Sequence, residues 1–94
     1  MYKYLIEYMG SLVTVTSLLL TEADPIITAL VYYAALWMSQ GISNGFFNPL
    51  SPLVTIILGR GDTKDMLMNI GSQIAGAVSA AIIFKPTTIL INQI

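Results

Sequence analysis

Apolar residues fall into four runs separated by short polar breaks. The first run spans Tyr4 to Leu20 and ends at the acidic turn Thr21-Glu22-Ala23-Asp24. The second spans Pro25 to Gln40, a shorter one lies within Gly41 to Leu58, and the last, Met66 to Phe84, follows the charged stretch 59–65. Long apolar runs with few charges predict helices that cross a bilayer. Seventeen positions from Tyr4 to Leu20, at about 1.5 Å each, give near 25 Å of helix. That is short for a hydrocarbon core of about 30 Å but workable in a bundle. Asp24 before Pro25 predicts an N-cap with proline at the first helical position, and Asp62 or Thr63 is placed to cap the last helix. Lys85-Pro86 predicts that helix's end. The tail 85–94 has a strand-like composition, is too short to span, and reads as an interfacial segment or a partner contact.

The third run differs in kind. GISNGFFNPLSPLVTIIL, from Gly41 to Leu58, interrupts apolar chain with Ser43-Asn44-Gly45 and then Asn48-Pro49, and its apolar remainder is too short to cross a membrane. A bilayer tolerates broken backbone only where it is buried in protein or lines a wet cavity. The pattern therefore predicts a re-entrant loop that turns at Asn48-Pro49 and returns as a half-helix. The expected fold is an all-α membrane protein, one domain over 1–94, with three transmembrane helices and one re-entrant half-helix.

Composition narrows the functions. The 94 residues are 55% hydrophobic and 10% charged, with a net charge of −1, which suits a small multi-pass membrane protein whose main partner is the lipid bilayer. There is no basic surface for nucleic acid. Cysteine and histidine are both absent, which removes disulfides, thiolate nucleophiles, Ser-His pairs and the usual zinc ligands. Neither an enzyme nor a metal or cofactor site is expected. Met1-Tyr2-Lys3 leads into a stretch carrying Glu7 without a small-residue cleavage site, so no signal peptide is expected there.

Two polar side chains stand inside the apolar runs. Glu7 is a functional-site candidate because a carboxylate in lipid needs donors or a wet cavity. The plainer reading is that it lies near enough to the helix end to reach the interface, where Tyr2, Tyr4 and Tyr8 form an aromatic belt. Gln73 needs partners in the same way and should face the bundle. Around it Gly71, Ala75 and Ser79, and offset Gly76 and Ala80, recur four apart. Such rows permit close helix approach, and packing alone accounts for them.

Three segments carry a family resemblance. Ile42-Ser43-Asn44-Gly45-Phe46-Phe47-Asn48-Pro49-Leu50 resembles the S-G-x-x-x-N-P-A signature of the major intrinsic protein family, the aquaporins and glycerol facilitators. Glu7-Tyr8-Met9-Gly10-Ser11 resembles the family's E-F-x-G-T, and Ser72-Gln73-Ile74-Ala75-Gly76-Ala77 its Q-x-x-G-A. The similarity covers nearly the whole chain but one repeat of the family's two. It implies that Asn48 is the pore asparagine, its side-chain carbonyl capping the half-helix and its amide donating to a passing water or polyol hydroxyl. It implies that Pro49 opens the half-helix, that carbonyls of Asn44, Gly45, Phe46 and Phe47 form an acceptor ladder, and that Thr28 stands at the selectivity constriction. Glu7 and Gln73 become supports of the loop, and the half-helix N-terminus repels cations.

The chain also departs from that pattern. Leu50 replaces a small alanine where two such loops would meet, Phe46 takes a position often held by histidine, and Pro52 adds a second proline that could shift the helix start, with Ser51 as cap. No arginine follows Leu50, as befits the first repeat. One repeat leaves the loop open on a side, and full-length members close it with an inverted second copy. Lys3, Arg60 and Lys64 against Lys85 favour a cytoplasmic N-terminus weakly enough to permit dual insertion. Two functions follow as expectations. One is a half-channel subunit passing water or small neutral solutes after inverted pairing, as a homo-oligomer or with a related half. The other is a non-conducting assembly subunit that packs against other membrane proteins.

Overall fold

A computed structural model describes the backbone of residues 2–93 and the side chains of residues 2–85. The described residues form four helices: α1 (Tyr2–Leu20), α2 (Pro25–Ser39), the short α3 (Leu50–Ile57) and α4 (Thr63–Gln93). No strand occurs among the described residues. α1 lies centrally, packed chiefly on α4 and also on α2, while α3 packs on α4.

Local chemistry explains each boundary. Asp24 Oδ1 accepts from the backbone N–H of Ile26 and Ile27, both at 3.0 Å, and Pro25 opens α2 where no N–H is missed. Asp24→Ala should cost about 0.5–2 kcal/mol in thermal or denaturant unfolding, whereas Asp24→Asn should be nearly neutral. α3 ends at Gly59, which takes a left-handed φ of 70°. There the Arg60 N–H reaches back to the Thr55 carbonyl at 3.0 Å, the glycine-terminated closure common at helix ends. Asp62 starts α4, its Oδ1 accepting from the Lys64 N–H at 3.3 Å.

α4 does not stop at Lys85-Pro86. The backbone stays helical through Pro86 to Gln93, 31 residues in all, about 46 Å at 1.5 Å per residue. This corrects both the expected end near Phe84 and the separate tail over 85–94. Proline removes one helical N–H and crowds the carbonyl four residues back, but a single lost bond is outweighed where the helix continues on both sides. The side chains beyond Lys85 lie outside the described residues, so the expected partner contact of the tail does too.

Among the described residues one helix, α4 over Thr63–Lys85, is long and apolar enough to cross a membrane. α2 is apolar but has only 15 residues, about 22 Å. α1 has the length but is diluted by Lys3, Glu7 and the tyrosines at its start. Of the three transmembrane helices expected, α4 alone meets this measure.

Burial runs opposite to that of a water-soluble domain. Glu7, Ser11, Ser39, Asn69 and Gln73 are buried, while Ile26, Trp37, Ile57 and Ile82 are each more than 60% exposed. These polar groups face inward, Gln73 donating to Glu7 and the Ser11 and Ser39 hydroxyls to the carbonyls of Phe47 and Leu36, and many large apolar side chains face out. The buried stripe of α4, namely Met66, Asn69, Gln73, Gly76 and Ala80, alternates spacings of three and four, one face of a helix. Gly76 and Ala80 bring α4 against α1. Gly71 and Ala75 point outward, so of the two small-residue rows one packs within the chain. Ser79, half-buried, accepts a hydrogen bond from the Tyr8 hydroxyl at 2.8 Å.

Candidate functional site

The break between α2 and α3 is irregular from Gly41 to Asn48, and three helices hold it. Glu7, on α1 and 0% exposed, is the centre of the arrangement. Its Oε1 accepts from the Phe47 N–H at 3.0 Å and from Gln73 Nε2 at 2.7 Å, and its Oε2 from the Ser43 hydroxyl at 2.9 Å. One carboxylate thus satisfies donors from both ends of the loop and from α4. Three donors around one anion offset the loss of water that burial imposes.

Phe47 shows what this grip does to the backbone. Its φ of 56° lies in the left-handed region, which costs a non-glycine residue about 1–2 kcal/mol. Bonds on both sides hold it there: the N–H donates to Glu7, and the carbonyl accepts from Ser11 Oγ at 2.9 Å. The ring turns inward, stands edge-on to Tyr32 with centroids 6.0 Å apart, and fills the space that a side chain at Gly10 would need. Ser11→Ala should therefore cost about 0.5–1.5 kcal/mol and broaden the Phe47 amide resonance. An unchanged resonance would show that Ser11 does not hold this peptide.

Asn48 turns the chain into α3. Its Oδ1 accepts from the N–H groups of Leu50 and Ser51, at 3.1 and 3.2 Å, and its Nδ2 donates to the Phe46 carbonyl at 2.9 Å. One of the two amide protons is thereby used within the loop. Pro49 flanks α3, whose first backbone bond joins the Leu53 N–H to the Pro49 carbonyl at 3.2 Å. The start does not shift to Pro52, because that residue falls within the first turn, where a missing N–H is cheap. Leu50 sits at the tip of α3, 69% exposed.

The four carbonyls expected in a ladder divide. Those of Gly45 and Phe46 face the Tyr32 hydroxyl at 3.4 and 3.5 Å, long for hydrogen bonds. That of Phe47 is rotated inward onto Ser11 by the left-handed backbone, so Phe47 lines the protein interior with ring and carbonyl alike. Asn44 is exposed, and Gly45 is buried where a Cβ would come within 2.9 Å of Leu36 and Ser39. Thr28, half-buried on α2, has an enclosed hydroxyl oxygen with no partner.

At the starts of α1 and α4, Asp65 accepts from Lys3 Nζ at 2.6 Å and from the Tyr4 hydroxyl at 2.7 Å. The hydrogen bond to Asp65 holds the Lys3 ammonium above its ordinary pKa. Lys3 keeps 42% of its side-chain surface exposed and Asp65 19%, and solvent screening leaves a pair at such a partly open site a small contribution to stability. Among the described residues no three of His, Cys, Asp and Glu gather as a metal site.

Reading the sequence misses Ser11, Tyr32 and Asn69. Ser11 lies one turn after Glu7 on the same face, and Asn69 one turn before Gln73, so the spacing of polar residues within apolar runs held the signal. Fold and site together define a small helical bundle that clamps a broken segment by a buried carboxylate. No protein-family model, curated protein or solved structure matches the chain.

Proposed function

We propose that this chain is a multi-pass membrane subunit, one half of a channel of the major intrinsic protein type, which passes water or small neutral solutes once an inverted half closes the loop's open side. The observation that carries the reading is the grip of Glu7 on both ends of the break at Ser43 and Phe47 while Asn48 caps α3. Such a device presents irregular backbone at the head of a short helix, and a bilayer admits irregular backbone only beside a cavity or within protein. The outward apolar surface and inward polar stripe support lipid as the surroundings, with α1 and α2 crossing beside α4. On this reading Asn48, the Asn44 to Phe46 carbonyls and Thr28 border the path, and the partial positive charge at the head of α3 disfavours cations.

The exposed Leu50 favours a second reading, because two such tips meeting at a pore centre would crowd each other. On that reading the chain is an assembly subunit that uses its outward faces to hold other membrane proteins and conducts nothing.

Swelling of proteoliposomes under an osmotic gradient separates the two. The wild type should exceed empty vesicles, and Asn48→Asp should fall toward them. Aspartate keeps the oxygen that caps α3 but removes the amide donor and places a charge in the path. Wild-type vesicles with confirmed insertion and no added permeability would remove the channel reading and leave the assembly subunit.

A further inference from the structure

Asn44 is followed by a glycine, whereas Asn48 precedes a proline, Asn69 an isoleucine and Asn92 a glutamine. The distinction is chemical. An asparagine side chain loses its amide when the backbone nitrogen of the next residue attacks the side-chain carbonyl carbon, closing a succinimide ring and expelling ammonia. Glycine offers that nitrogen with no side chain beside it, proline has no N–H to give up, and the nitrogen after Asn69 is tied into the ladder of α4.

In this loop the attacking nitrogen also has a base at hand. The Gly45 N–H donates to Ser43 Oγ at 3.2 Å, and the Ser43 hydroxyl donates in turn to Glu7 Oε2 at 2.9 Å. The series runs from nitrogen through hydroxyl to a buried carboxylate, the arrangement by which an adjacent base activates a weak nucleophile. The target stands free. Asn44 is exposed, and its amide makes no hydrogen bond among the described residues. It borders a polar cleft of about 270 Å³, shared with Lys3, Ser43, Asp65 and Asn69, through which solvent reaches it.

We infer that Asn44-Gly45 is a self-modifying site, at which Glu7 acts through Ser43 as the base for succinimide formation. The Gly45 proton moves to Ser43 Oγ as the hydroxyl proton moves to Glu7. The freed electron pair bonds to the Asn44 side-chain carbonyl carbon, and the bond from that carbon to Nδ2 breaks. Nδ2 leaves as ammonia, recovering the proton from Glu7 by way of water. Water then opens the imide to aspartate or isoaspartate. Either product sets a new carboxylate beside Ser43, and isoaspartate routes the main chain through a side-chain methylene, which loosens the end of the loop that Glu7 holds at Ser43. The site depends on the loop alone and is the same in a conducting half-channel and in an assembly subunit.

The test follows the full chain, made by cell-free synthesis into phosphatidylcholine vesicles so that its age is known, beside a blocked peptide of residues 39–48 at the same neutral pH. The peptide carries Ser43, Asn44 and Gly45 but lacks Glu7. Fragment masses read the exchange of amide for carboxylate at Asn44, with Asn48 and Asn69 as references in the same chain. Expected is conversion about tenfold faster in the chain than in the peptide, below the usual effect of a base in direct contact because this one acts through a hydroxyl. Ser43→Ala and Glu7→Gln should each return the chain to the peptide's rate, while Ser43→Thr, which keeps the hydroxyl, stays near the wild type. A wild-type chain that converts no faster than the peptide overturns the inference. An undiminished rate in a folded Ser43→Ala overturns it too, since the bond to Ser43 would then only tether the nitrogen. Should the variants not fold, the comparison of wild type with peptide decides by itself.

Discussion

Glu7→Ala will release the broken segment and destabilise the chain by about 3–5 kcal/mol. The substitution leaves the Phe47 N–H, the Ser43 hydroxyl and Gln73 Nε2 without an acceptor, and each buried unsatisfied group costs about 1–3 kcal/mol. The lower part of the summed range applies because Ser43 borders the polar cleft and regains water. The left-handed Phe47 then loses one of the two bonds that hold it and relaxes. Glu7→Gln should fall between wild type and alanine, since one oxygen remains but the new amide faces existing donors. Unfolding of the three proteins in mixed micelles measures the series, and amide exchange at Phe47 and Ser43 reports where it acts. A Glu7→Ala protein within about 1 kcal/mol of wild type, below the cost of even one lost partner, would show that something other than the carboxylate holds the break.

Gly76→Ala should separate α1 from α4. A Cβ at that position would stand 2.5 Å from the Tyr8 carbonyl oxygen, 3.0 Å from the Ser11 Cβ and 3.1 Å from the Leu12 nitrogen. Two of these three are backbone atoms, so relief requires moving a helix rather than rotating a side chain. Overpacking of that kind costs about 1–3 kcal/mol and sometimes more. Gly71→Ala provides the contrast on the same helix. Nothing lies within 4 Å of its added Cβ, and replacing a helical glycine gains about 0.5–1 kcal/mol. Opposite signs for the two variants are expected in the monomer. If Gly71→Ala also destabilises, an outside partner occupies that face.

How much of this could be read from residues alone depends on the kind of signal. The break at Gly41 to Asn48 was legible because Ser-Asn-Gly and Asn-Pro have few uses inside apolar chain. The caps at Asp24 and Asp62 were legible because their chemistry is local. Which of two interleaved small-residue rows packs inward was not, because Gly71 and Gly76 have the same propensity and only the position of α1 distinguishes them. The length of α4 was misjudged because Pro86 carries a strong local preference that the continuing helix overrides. The inward rotation of Phe47 had no local sign, since a bulky residue in the left-handed region is held by bonds from residues 36 and 40 positions away in sequence.

The three-way grip of one carboxylate also sets an order of events during synthesis. Gln73 is made 66 residues after Glu7, a delay of about 3 to 13 seconds at ordinary elongation rates. Throughout that interval the acid on the first helix has only part of its retinue, and the loop joining the second and third helices lacks the arm that fixes it from the other side. The last helix to emerge is therefore the bolt. A chain cut short before it would leave the first acid without its Gln73 donor and the α1 face that Gly76 and Ala80 cover without a partner helix.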